Sequence, residues 1–153
     1  MLGGVHLRDT RLRTTALLAM LGAASLNAQP NETQTVWQRV YTAQQAARGA
    51  QIYAVACAHC HGPDLKERDG APPLAAPEFL AAWQGYSAGD LVERMRRTMP
   101  PGTPGNMGAQ GYVDLLALIL QANQMPPGQT ELDINPQRLK QIRFDTKNGG
   151  SPQ

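Results

Sequence analysis

The chain is 153 residues long, with 14 basic against 12 acidic side chains and a formal charge of +2. This length suits one small domain. So even a charge balance argues against a nucleic-acid binder or a polybasic membrane binder.

Residues 1–28 read as a secretory signal. Arg8, Arg11 and Arg13 make a basic start, residues 17–26 a short apolar stretch, and Ala28 a small residue at the cut. Leu26 is bulky for its place, so a cut a few residues earlier is the variant. An uncleaved N-terminal membrane anchor is the alternative, for which the apolar run is short. Cleavage removes three of the 14 basic and one of the 12 acidic residues, leaving 11 of each. Beyond the signal no apolar run reaches membrane-spanning length, and residues 113–120 fall far short of it.

Residues 29–41 form a lead, polar and extended at first, then carrying Trp37, Val40 and Tyr41. Thr42-Ala43-Gln44-Gln45 reads as a capping box that opens a helix over residues 43–57. Gly49, Tyr53 and Cys57 lie four apart on one face of it. A glycine inside a helix costs about 1 kcal/mol against alanine, so Gly49 implies close contact with another helix. Residues 62–82 are rich in Pro, Gly and small side chains and read as a loop. Ser87-Ala88-Gly89-Asp90 is a second capping signal, opening a helix to about residue 97 with Leu91 and Met95 inward. Pro100-Pro101-Gly102 stops it.

Residues 111–123 carry Tyr112, Leu115, Leu116, Ile119 and Leu120 at helical spacing, a third and amphipathic helix. Residues 125–153 form a tail. Asn135-Pro136 opens a short helix there, and residues 147–153 read as disordered. No stretch reads as a strand. The expected domain is all-α, spanning residues 42–124 between lead and tail.

The chemistry lies in Cys57-Ala58-His59-Cys60-His61. This is Cys-x-x-Cys-His, the attachment signature of a c-type haem. Two thiols on one helical turn can add to the two vinyl groups of one porphyrin, and the following imidazole then reaches the iron. The chain has only these two cysteines, so it holds one covalent haem c and no structural disulfide. A redox dithiol would follow a strand in a βαβ pattern. A zinc site needs about four N or S ligands, and His59 is the only other histidine after the signal. His59 reads as an exposed side chain.

The second axial ligand is chosen among Met95, Met99, Met107 and Met125. Met95 lies on an apolar helix face and reads as core filler. Met99 comes where the helix ends and the backbone loosens, the place to lay a thioether against the haem. Met107, in a Gly-rich loop, is the alternative, and Met125 comes after the last helix. Trp83 reads first as core packing and second as an N–H donor to a haem propionate. Arg94, Arg96 and Arg97 form a basic face that is either solvated or available to a propionate and an acidic partner. Lys66-Glu67-Arg68-Asp69 reads as a solvated loop.

This arrangement resembles the class I cytochromes c over residues 37–127. The resemblance rests on Gly49 and Tyr53 ahead of Cys57-x-x-Cys60-His61, then Ala71-Pro72-Pro73-Leu74, the Met99-Pro100 pair, and a final helix beginning with Tyr112. More narrowly, Val36-Trp37 to Gly49, Phe79-Leu80-Ala81-Ala82-Trp83 and Thr98-Met99-Pro100-Pro101-Gly102 are similar to the small secreted cytochromes of quinoprotein (PQQ-dependent) alcohol dehydrogenase systems.

The resemblance implies a cytochrome c fold whose N- and C-terminal helices cross around the haem, with Gly49, Tyr53 and Tyr112 at the crossing. It implies His61 as proximal ligand and Met99 as distal ligand. It also implies that the Pro72 carbonyl accepts a hydrogen bond from the His61 ring. The function expected is a periplasmic one-electron carrier, not an enzyme. It would link a dehydrogenase, of quinoprotein type on the narrower match, to an oxidase or another cytochrome of the respiratory chain. One alternative is a tightly bound subunit of a dehydrogenase complex, docked through the lead and tail. The other is an open-site haem enzyme or sensor, which requires that Met99 not bind.

Overall fold

The computed structural model describes residues 33–66 and 70–145, together with Met1 and Gly3. The rest of the signal segment, residues 29–32 of the lead, residues 67–69 of the charged loop and residues 146–153, including the stretch read as disordered, lie outside the described residues.

Helix α1 (Ala43–Ala56) begins where the Thr42 hydroxyl accepts the Gln45 N–H at 3.1 Å. Only half of the expected capping box forms. The Gln45 side chain turns inward and pairs with Leu132, donating to its carbonyl at 3.1 Å and accepting its N–H at 2.9 Å. A buried carboxamide can satisfy both groups of a tail residue, and here that outcompetes the cap.

Helix α2 (Ala58–His61) is a single turn after Cys57. Helix α3 (Pro77–Trp83) lies, but for its last residue, inside the stretch read as a loop. Its proline occupies the first helical turn, where the missing N–H costs nothing, and Glu78 follows in that same turn. Helix α4 (Ala88–Thr98) has the full capping box between Ser87 and Asp90. Helix α5 (Gly108–Ala122) starts three residues before the expected point, with Met107 as its N-cap. Helix α6 (Pro136–Lys140) is capped by the Asn135 side chain. Among the described residues no helix is long and apolar enough to cross a membrane.

Helices α1 and α5 cross at Gly49. A Cβ built there would stand 2.0 Å from the Asp114 carbonyl oxygen, so glycine lets the two backbones touch. Beside the crossing, the buried Asp114 carboxylate takes two bonds from Arg48, both at 3.0 Å, and one from Gln110 at 2.8 Å. Arg48 also holds Glu131 of the tail at 2.8 Å. Every residue of α5 from Gly111 to Leu120 is buried, wider burial than its amphipathic spacing implied.

Tail and lead supply part of that cover. Two-residue strands β1 (Gln34–Thr35) and β2 (Ile142–Arg143) pair in parallel, Gln34 opposite Ile142 and Thr35 opposite Arg143. Strands this short show no alternation, which is why the sequence reads as strandless. Met125, Leu132, Leu139, Ile142 and Phe144 are all buried in the main core. The Phe144 ring meets Phe79 edge-on, with centroids 5.9 Å apart. Val36 and Tyr41 of the lead are buried in the same core, whereas Ile134 of the tail stays exposed.

Two outcomes follow. Gly49→Ala forces the backbones of α1 and α5 apart and should cost about 3 kcal/mol, the upper end for overpacking, in urea denaturation of the haem-loaded protein. A loss under about 1 kcal/mol would mean that the crossing is slack. The second concerns Asp90, whose carboxyl is held below the usual carboxylate range by the Ser87 hydroxyl and N–H. A lowered folded pKa contributes stability above the unfolded value of about 3.9, lost as pH falls through the folded value. Asp90→Asn should therefore cost about 1 kcal/mol at neutral pH, and the gap to the parent should close in acid.

Candidate functional site

Helix α1 gives way at Cys57, whose N–H still reaches the Tyr53 carbonyl at 2.9 Å. The chain then re-enters the single turn of α2, where the N–H groups of Cys60 and His61 both point to the Cys57 carbonyl at 3.1 and 3.0 Å. Gly62, with φ +73°, ends the turn. The Tyr53 hydroxyl donates to the Gly62 carbonyl at 2.6 Å, tying the end of the motif back to α1. Burial pushes Tyr53 up to about 12, so its hydroxyl keeps the proton it donates.

Cys57, Cys60 and His61 line one cavity of about 770 Å³. Both cysteines are free thiols, Cys57 half-buried and Cys60 exposed. Burial, and then the neighbouring Cys60, push the Cys57 thiol up to about 11. His59 is exposed and is not part of the cavity wall.

The His61 ring is buried, with Nδ1 at 3.0 Å from the Pro72 carbonyl oxygen. A carbonyl can only accept, so Nδ1 carries the proton and Nε2 keeps its lone pair. Pro72 sits on a loop with its own anchors. The N–H groups of Leu74 and Ala75 both reach the Leu65 carbonyl, at 2.8 and 3.1 Å. Asn123, at the end of α5, donates from Nδ2 to the Leu74 carbonyl at 2.9 Å and to the Ile119 carbonyl at 2.8 Å.

Three thioethers line the same cavity: Met95, Met99 and Met107. Met125 does not; it is buried beside Val36, Trp37 and Phe144. Met95 and Met107 pack against the main core, while Met99 lines the cavity without joining that packing among the described residues. Met99 is also where α4 unrolls into extended backbone, φ −126° and ψ 142°. Its carbonyl accepts a bond from the Tyr112 hydroxyl at 2.7 Å. Tyr112, placed at the helix crossing by resemblance, thus directs its hydroxyl to the methionine loop.

Trp83 lines the cavity from α3. Its ring lies 6.3 Å from Phe79, 6.1 Å from Phe144 and 5.7 Å from Tyr86, centroid to centroid. Its indole N–H has no hydrogen-bond partner among the described residues. Arg94 lines the cavity and is exposed, whereas Arg96 is paired with Glu93 at 3.1 Å.

These residues fit a covalently attached haem. The walls are largely apolar, as a macrocycle requires, and two thiols and an imidazole come from one short segment. A thioether not used in packing comes from another. Sequence patterning alone missed Asn123 and the loop contact of Tyr112. The one signal it carried for α3 was Pro77-Glu78, a proline and an acid at a helix start.

Residues 44–119 match the family model described as cytochrome C oxidase, cbb3-type, subunit III. Among solved structures, the chain is similar to one in the crystal structure of the sulfane dehydrogenase SoxCD from Paracoccus pantotrophus. That likeness has 18% identity and a TM-score of 0.48, and covers 76% of this chain and 66% of that chain. The chain thus spans just under two thirds of the length of that one. No curated protein matches. The all-α fold is that of a cytochrome c domain.

Replacing both Cys57 and Cys60 by alanine should leave no haem bound after denaturation, read by peroxidase staining of a denaturing gel. Each single replacement should keep the stain through the remaining thioether. Stain retained by the double variant would mean that the haem is not held through these thiols.

Proposed function

Because the chain is a c-type cytochrome carrying covalent haem c and transferring electrons, we propose that it is a one-electron carrier with His61 and Met99 as the two axial ligands. The observation that carries this reading is that His61 and Met99 line one cavity. His61 has its Nε2 lone pair free because Nδ1–H is engaged by Pro72, and Met99 is the cavity thioether outside the core packing.

The haem, when bound, supplies the one-electron redox couple. The chain's residues set its terms. Cys57 and Cys60 anchor it. The Pro72 carbonyl keeps the His61 tautomer and makes the imidazole a stronger donor. A methionine ligand raises the potential relative to a second nitrogen. His61 and Met99 would hold the iron from the chain's side, and with both bound no exogenous ligand would have ready entry. Trp83 and Arg94 line the cavity, and their indole N–H and guanidinium would serve as donors for the propionates.

The carrier would act in the periplasm after removal of the signal. It would take electrons from a dehydrogenase, with a quinoprotein as the donor class the sequence resemblance points to, and pass them to an oxidase or another cytochrome. A permanent place as an electron-transfer subunit is the second reading, since the matching family model is described as an oxidase subunit. Co-purification at fixed stoichiometry separates it from a free carrier.

Met99→Ala should abolish the weak long-wavelength absorption band of ferric thioether ligation and let the reduced protein bind carbon monoxide, which the parent should not. A band that survives Met99→Ala would move the ligand to Met107 or Met95. A parent protein that is high-spin and binds carbon monoxide rapidly would favour the open-site enzyme or sensor.

A further inference from the structure

The segment between α4 and α5, residues 99–107, has little means of holding itself together. Pro100, Pro101 and Pro104 have no N–H to donate, and Gly102 and Gly105 sit at positive φ of 90° and 82°. Residues 101–106 are all exposed. Within the segment, the Thr103 N–H reaches the Pro100 carbonyl at 3.2 Å and the exposed Asn106 side chain reaches Thr103 at 3.1 Å. Neither bond attaches the segment to the body of the protein.

One side chain does so from below. Tyr112 is fully buried in the second turn of α5. Its hydroxyl donates to the Met99 carbonyl at 2.7 Å and accepts the Gly105 N–H at 2.8 Å. One oxygen thus joins both limbs of the loop to a helix whose own position is set by the contact at Gly49. Without it, a partly buried carbonyl and an N–H lose their partner, and such losses cost more than the bond's net worth.

We propose that Tyr112 is a positioning residue: its hydroxyl latches the 99–105 loop closed and thereby keeps Met99 at the haem. This rests on Met99 being the distal ligand. The hydroxyl contacts the backbone of the ligand residue, so it does not tune the sulfur directly. It sets how often the loop opens and leaves the axial position free. An exogenous ligand can bind only the open form, so its apparent affinity rises in proportion to the open fraction.

The test uses the haem-loaded protein and Tyr112→Phe, which keeps the ring and removes only the hydroxyl. Imidazole is titrated into the ferric form. The thioether band and far-ultraviolet circular dichroism are followed on heating. Tyr41→Phe is the control, because it removes another buried hydroxyl-to-carbonyl bond, to Met125 at 2.6 Å, away from the cavity.

Tyr112→Phe should bind imidazole at least about tenfold more tightly, since it removes both bonds and the loss of one alone accounts for about that much. Its thioether band should vanish at a temperature where the helices are still intact. Tyr41→Phe should lower the unfolding temperature yet keep the parent's imidazole affinity, with band and helix lost together. If Tyr112→Phe behaves like Tyr41→Phe while Met99→Ala abolishes the band, the latch is overturned and the ligand assignment stands. If the band survives Met99→Ala, the ligand assignment fails first and the latch falls with it.

Discussion

The contact of Gly49 with the Asp114 carbonyl is the constraint on which the rest of the site depends. It brings α1 and α5 to backbone contact, and the two helices carry different halves of the machinery. Helix α1 runs directly into the cysteine motif. Helix α5 holds the two loops that complete the cavity. Tyr112, near its start, binds the loop of Met99, and Asn123, at its end, binds the loop of Pro72. Met99 and His61 are therefore both referenced to one helix, one through its own backbone and the other through the loop whose carbonyl meets its ring.

Such an arrangement suits a chain whose site loops are built from proline and glycine. Those residues shape turns but supply few backbone donors, so ordinary ladders cannot hold them. Side chains from rigid helices make up the difference at Tyr53, Tyr112 and Asn123. Each bond is modest by itself. Its effect is to tie a loop of the cavity wall to a helix. The Asn123 Oδ1 atom is buried without a partner, a local cost of committing both amide hydrogens to carbonyls.

The lead and tail complete the domain rather than extend it. The Trp37 indole donates to the Asp145 carbonyl at 3.0 Å, and Tyr41 reaches Met125. Gln45 and Arg48 on α1 hold the tail at Leu132 and Glu131. The tail also braces α3 through Phe144, and α3 presents Trp83 to the cavity. The wall on that side thus depends on residues some sixty positions further along the chain.

Local chemistry was legible without coordinates. Cys57, Cys60 and His61 declare a covalent haem because thiols and imidazole must be neighbours on one turn to do that work. The caps at Thr42 and Ser87 marked helix starts for the same reason, since a cap and the N–H it meets are three residues apart. What only the tertiary structure decided involves partners far apart in sequence. Gln45 gave up half of its cap for Leu132, and the Tyr112 hydroxyl found its partners in the methionine loop. Helix α3 emerged within a proline-rich stretch, where its Phe79 and Trp83 pack against Phe144. Among four methionines of one chemistry, composition and spacing cannot tell which sulfur is already spent on packing. That depends on which surfaces the helices leave facing the cavity, and the crossing of α1 and α5 determines those surfaces.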